Sequence, residues 1–212
     1  MFVIIVSIIG KRLKEVVFVI RINPIELEGA WNKGFALDYH TIKSVPLGED
    51  PFGHMQYDTT YTPMGELLKQ FKYKNQYENV IEIVDTVVAF LGEHPEMMNV
   101  QSVLPVPPSN RMRAYQPTFE LAELLAKRLG AFYSADVLEK RTESEYKNLS
   151  AAEKLSEHGM IVQNLKAHRK IDILLIDDIY QTGSTLRQCT EVLRGDPNID
   201  KIYVLTITKT RK

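Results

Sequence analysis

Apolar residues recur along this chain at two different spacings, and the change from one to the other marks out its elements. Within 76–91, Val80, Val84, Val87 and Leu91 share one stripe with Ile81 and Val88 beside them, which predicts a helix ended by Gly92. An earlier helix opens at Pro63, a residue tolerated in a first turn, with Met64, Leu67, Leu68 and Phe71 as its apolar face. Residues 117–129 repeat the pattern through Ala122, Leu125 and Leu129, and 184–194 through Leu186, Cys189 and Leu193. A short helix is predicted at 149–157, begun near Ser150. Between these lie runs of strand length at 103–106, 131–138, 171–176 and 202–208. Strands alternating with helices predict an α/β fold, a central and mostly parallel sheet flanked by helices.

The first quarter lacks that alternation. MFVIIVSIIGKRLKEVVFVIRI predicts two strands, 2–9 and 15–22, reversing at 9–12. Its opening apolar run is too short to span a bilayer. Lys11, Arg12 and Lys14 follow that run instead of preceding it, and no small-residue cleavage pattern comes after, so neither a secretory signal nor a membrane association is expected. Residues 23–62 mix Gly, Pro, Asn and Asp with short extended pieces such as 34–42. The expected division is a β-rich elaboration at 1–75 and a core at 76–212, within one globular unit.

Composition narrows the chemistry. With 212 residues, 44% hydrophobic and 25% charged, the chain has the make-up of an ordinary soluble domain. A net charge of −1 supplies no overall field toward nucleic acid or an anionic membrane. Cys189 is the only cysteine, which excludes an intrachain disulfide framework and paired-thiolate zinc, and fits a reducing, cytoplasmic setting. The five histidines show no metal-ligand spacing, no G-x-S-x-G elbow occurs, and Cys189 on an apolar helical face reads as core.

One stretch stands apart. ILLIDDIYQTGST, 173–185, sets Asp177 and Asp178 directly after an apolar strand and then turns through Gln181, Thr182, Gly183, Ser184 and Thr185 into a helix. Open parallel sheets bind ligands at the carboxyl ends of their strands. A helix start offers unpaired N–H groups, Gly183 permits close approach, and the hydroxyls add donors, which together make a phosphate cradle. Carboxylates beside such a cradle suit sugar hydroxyls or a ligand-borne cation, so a ribose 5-phosphate satisfies both halves. P-loop hydrolases share the acid-ended strand, but no G-x-x-x-x-G-K-[ST] loop is present. Receiver domains carry it near their start, whereas only 27 residues follow Thr185 here. The plainer alternative makes Asp178 a turn cap and the hydroxyls helix caps.

The stretch resembles the phosphoribosyl-pyrophosphate (PRPP) signature of type I phosphoribosyltransferases, and further segments resemble the ComF-like branch. They are ELLKQFKYK at 66–74, LPVP at 104–107, FELAELLA at 119–126, and KRT at 140–142 with LSAAE at 149–153. The resemblance covers about 63–208. Two departures stand out: no cysteine precedes Cys189, so the branch's N-terminal zinc module is absent, and RMRAYQPTFE at 111–120 keeps two arginines without the usual R-G-F-N end.

The resemblance implies the type I fold with a β-rich hood, and transfer of a 5-phosphoribosyl group from PRPP to a nitrogenous acceptor with release of pyrophosphate. Asp177 and Asp178 would hold the ribose hydroxyls, and Thr182, Gly183, Ser184 and Thr185 the 5-phosphate. Arg141, counted with the catalytic acids, together with Arg111, Arg113 and Lys140, would meet pyrophosphate, while Mg²⁺ would bind through substrate oxygens and water without a direct protein ligand. Lys72 and Tyr73 are further candidates from the N-terminal side, as are Lys209 and Arg211 beyond the last strand. Phosphoribosyltransferases are often dimers, which implies a homodimer here. A second reading is a PRPP- or nucleotide-binding accessory protein without turnover, since ComF-like proteins are associated with DNA uptake and processing. The basic and aromatic residues of KQFKYK, 69–74, and KTRK, 209–212, suit single-stranded DNA, and the former equally suits an amphipathic helix end.

Overall fold

The apolar run at 171–176 lies in the middle of a six-stranded sheet, where burial on both faces calls for apolar side chains at successive positions. The computed structural model describes residues 2–3, 18–73, 76, 78–108, 115–141 and 160–211. Across the sheet the strands are β3 (Ile25–Glu26), β4 (Lys33–Tyr39), β12 (Ile199–Lys209), β11 (Ile171–Tyr180), β7 (Ser102–Pro105) and β8 (Phe132–Tyr133). All neighbours pair parallel except β3 and β4. The class is α/β with a mostly parallel sheet.

Successive side chains of a strand point to opposite faces, so β11 feeds two cores. Leu174 and Ile176 pack with α1 (Pro63–Tyr73), α2 (Asn79–Leu91) and α4 (Pro117–Leu129) through Leu68, Phe71, Val87 and Leu125. Ile173 and Leu175 pack with α5 (Ser184–Arg194) through Leu186, Cys189 and Leu193. A one-turn helix, α3 (Pro95–Met98), precedes β7. No helix among the described residues is long and apolar enough to cross a membrane.

Two expectations are corrected. The run at 131–138 is not one strand: β8 has two residues, Ser134 then bonds the Asp136 N–H in a turn, and β9 (Leu138–Lys140) pairs antiparallel with β10 (Ile161–Gln163) away from the main sheet. The strand expected to end at Ile176 continues to Tyr180, because β12 extends beside it as far as the Tyr180–Lys209 pair. Of the predicted N-terminal strands, β1 (Phe2–Val3) and β2 (Phe18–Val19) pair antiparallel, while 4–17 lies outside the described residues, as does the helix predicted at 149–157.

Residues 23–62 hold more regular structure than their composition suggests. β4 enters the central sheet beside β12, and β5 (Thr41–Glu49) and β6 (Met55–Tyr61) form a hairpin whose turn exposes Phe52 by 84%. Thr62 then ties the start of α1 to the end of β4. Its hydroxyl donates to the Tyr39 carbonyl at 2.6 Å and accepts from the Gly65 N–H at 3.0 Å. Gly65 lies so close to the His40 carbonyl that a Cβ there would overlap it. Gly65→Ala is therefore expected to push α1 off the end of β4 and to lower stability by about 1–3 kcal/mol. Urea unfolding reads this directly, and an unchanged midpoint would contradict the close docking.

Candidate active site

The chain leaves β7 through α4 and returns at β8, but leaves β11 through α5 and returns at β12. Those returns lie on opposite sides of the β7–β11 pair, and the two helices cover opposite faces. Strand ends whose connections part in this way leave a crevice, which is the usual ligand position in an open sheet. The last shared bond is the Val106 N–H to the Ile176 carbonyl, 2.9 Å. Beyond it opens a cavity of about 370 Å³, lined by 106–108, 116–118 and 177–186.

Asp177 and Asp178 both line this cavity, from different faces of the strand. Asp177 lies on the side of α5, where burial first and the Asp177 charge second hold the Cys189 thiol far above its ordinary range. Cys189 is fully buried, in keeping with a core role. Burial, and then the neighbouring Asp178 charge, push the Asp177 carboxyl up to about 7, although its Oδ1 accepts the Asp178 N–H at 2.9 Å. Asp178 turns toward α1, where its Oδ2 meets Lys72 Nζ at 2.6 Å. The two carboxyls thus differ: burial raises one to about 7, and the other is ion-paired.

The turn after the acids supplies donors. Gly183 takes a left-handed conformation with φ of 72°, and the Ser184 N–H at the start of α5 donates to the Thr182 hydroxyl at 3.4 Å. A side chain at 183 would be strained and would run into the Tyr180 ring. Thr182 Oγ1 lies 3.2 Å from Ser184 Oγ, and Arg187 clamps the Thr182 carbonyl at 2.9 Å. Thr182, Gly183, Ser184 and Thr185 all line the cavity, so the first N–H groups of α5 and the hydroxyls border one space. Such an end binds an oxyanion, and carboxylates beside it bind hydroxyl donors.

Lys140, at the end of β9, lines a second cavity of about 300 Å³, which shares Pro107, Pro108 and Gln116 with the first. Arg141 follows, its N–H donating to the Met160 carbonyl at 2.8 Å, and is not among the residues lining either cavity. Arg111 and Arg113 lie outside the described residues. Among the described residues no group of three or more His, Cys, Asp and Glu side chains is placed to hold a metal ion.

The basic residues near the site have inward partners. Lys69 sits 4.0 Å over the Tyr61 ring and 3.7 Å from Glu66. Lys209 lies 5.3 Å over Tyr180, and Arg211 stacks at 4.1 Å on Tyr39 while its Nε donates to the Thr41 carbonyl at 2.8 Å. Lys74 and Lys212, the remaining ends of the two basic stretches, lie outside the described residues. His40, which no motif marks, bonds through Nδ1 to the buried Thr208 hydroxyl at 3.1 Å. Burial, followed by the Lys72 charge, lowers its basicity. Asp38, in register with Thr208, is raised by burial although it accepts the Tyr39 N–H at 2.7 Å.

No family model matches the chain, and no curated protein does. Solved structures do. An adenine phosphoribosyltransferase from Saccharomyces cerevisiae is 16% identical with a TM-score of 0.45, over 78% of this chain and 84% of that one. An orotate phosphoribosyltransferase from Aeropyrum pernix is 11% identical with a TM-score of 0.41, over 77% and 87%. An adenine phosphoribosyltransferase from Thermoanaerobacter pseudethanolicus is 11% identical with a TM-score of 0.39, over 78% and 95%.

Because folding raises Asp177 from 3.8 to about 7, the folded state holds this proton more tightly than the unfolded chain does. The resulting stabilisation is complete below 3.8 and is lost as pH rises through about 7. Asp177→Asn should therefore gain thermal stability relative to the parent as pH is raised from about 5 to about 8. Melting temperatures of both proteins across that range test it. A difference independent of pH would contradict the buried carboxyl.

Proposed function

We propose that this chain is a type I phosphoribosyltransferase, which binds PRPP and transfers its 5-phosphoribosyl group to a nitrogenous acceptor with release of pyrophosphate. One observation carries the reading: the acid pair and the left-handed, hydroxyl-lined entry to α5 border the same cavity, at the point where the crossovers part. Neither half alone is specific. Together they match a diol and a phosphate held a few bonds apart on one sugar.

The 5-phosphate would lie against the N–H groups and hydroxyls of Thr182, Gly183, Ser184 and Thr185. The ribose hydroxyls would donate to Asp177 and Asp178. Lys140, which lines the adjoining cavity with Pro107 and Pro108, would meet the pyrophosphate end, with Arg141, Arg111 and Arg113 as further candidates. The acceptor nitrogen displaces pyrophosphate from C1, with the carbon–oxygen bond breaking early and positive charge developing on the ring. The protein's part is to fix the sugar, favour that charge with carboxylates and accept the departing anion. Mg²⁺ fits through its preference for oxygen ligands and retained water: substrate oxygens would hold it with Asp177 and Asp178 nearby, and it would supply charge neutralisation of pyrophosphate.

The accessory reading, binding without turnover, shares this site and differs in needing a second surface. Among the described residues of the two basic stretches that would form a face for single-stranded DNA, Lys69, Lys72, Lys209 and Arg211 all have intramolecular partners. That favours the enzyme.

Titration calorimetry with PRPP and Mg²⁺, with pyrophosphate release measured across a panel of nucleobases and amines, tests both readings. The parent is expected to bind PRPP and to release pyrophosphate with at least one acceptor. Asp177→Asn combined with Asp178→Asn should abolish PRPP binding while circular dichroism stays unchanged. Equal binding by the double variant would remove the assigned roles. Binding by the parent that is silent across the whole panel would move the conclusion to the accessory reading.

A further inference from the structure

Lys72 lies 106 positions before Asp178 in the chain, yet its ammonium is the group that meets this carboxylate, at 2.6 Å. The side chain is only 9% exposed and that of Asp178 21%, so solvent screens the pair weakly. The placement comes from the fold. Thr62 and Gly65 dock the start of α1 on the end of β4, Leu68 and Phe71 bury its next turns, and Lys72 then reaches the carboxyl edge of β11. Other nearby ionisable groups do not take its place. His40 is held toward neutrality and bonded to Thr208, Lys69 is turned to Glu66, and Asp177 lies on the opposite face.

Resting on the phosphoribosyl reading, we propose that Lys72 is a positioning residue, the resident counter-cation of the acid pair, which makes the site tolerant of a highly anionic sugar phosphate. Two adjacent carboxylates can hold a diol, but they repel the phosphates attached to it. With Lys72 against Asp178, the pair carries at most one net negative charge. Without Lys72 it carries up to two, and the penalty grows with each negative charge on the ligand. Lys72 also keeps the Asp178 carboxylate oriented, so that one oxygen is fixed by the ammonium and the other can accept a hydroxyl.

The expected effect concerns charge as well as affinity. Lys72→Met should weaken PRPP binding by at least about tenfold, and binding of the less charged ribose 5-phosphate by clearly less, since removing one partner of a poorly solvated pair strands the other. Lys72→Arg, which keeps the charge, should retain the parent's affinity for both ligands to within about threefold. Calorimetry with the two ligands, on the parent and both variants, reads this, with circular dichroism confirming the fold. Equal losses for the two ligands would assign Lys72 a packing role and overturn the inference, as would no loss at all. A loss in Lys72→Arg as large as in Lys72→Met would overturn it too. A parent that binds neither ligand overturns the phosphoribosyl reading itself, and this inference with it; a parent that binds both leaves that reading standing whatever the variants do.

Discussion

The parting of the chain between β7 and β11 is the constraint on which the rest depends. One strand sends its helix to one face and one edge of the sheet, and the other strand does the opposite. Past the Val106–Ile176 bond no connection among the described residues crosses the gap, so the carboxyl ends of two buried strands border a cavity with no packed core in it. Polar groups that would be costly inside the sheet can sit there, because ligand or water can satisfy them. Asp177 and Asp178 occupy that place, and the entry to α5 borders the same cavity.

Within the crevice, period-two alternation separates the carboxylates and gives them different lives. Asp177 is pressed toward α5 and the fully buried Cys189, and burial favours its protonated form. Asp178 points to α1 and pairs with Lys72. This division depends on α1, whose Lys72 reaches the carboxyl edge of β11.

Much of this was legible in the residues. The helices at 117–129 and 184–194 fall where their apolar stripes place them, because each packs one face against the sheet and ends at a glycine. The acid pair and the Thr-Gly-Ser-Thr turn point to the strand end at which the cavity lies. Where the pattern failed, the determinants were not local. β11 runs past its acids only because β12 continues beside it, and 131–138 breaks because β9 finds its partner in β10. β4 falls on the extended piece expected at 34–42, but its place in the central sheet comes from parallel pairing with β12, a contact across some 170 residues. Lys72 was one candidate among several; its pairing with Asp178 needs the docking of Gly65 under His40, which no spacing encodes.

A crystal structure of the protein with ribose 5-phosphate bound examines the central claim most directly. The account predicts the phosphate against the backbone N–H groups at the start of α5, beside Gly183, with the sugar hydroxyls on Asp177 and Asp178 and Lys72 still on the latter. A sugar phosphate seated elsewhere, or one in the crevice with its phosphate away from that helix start, would contradict it.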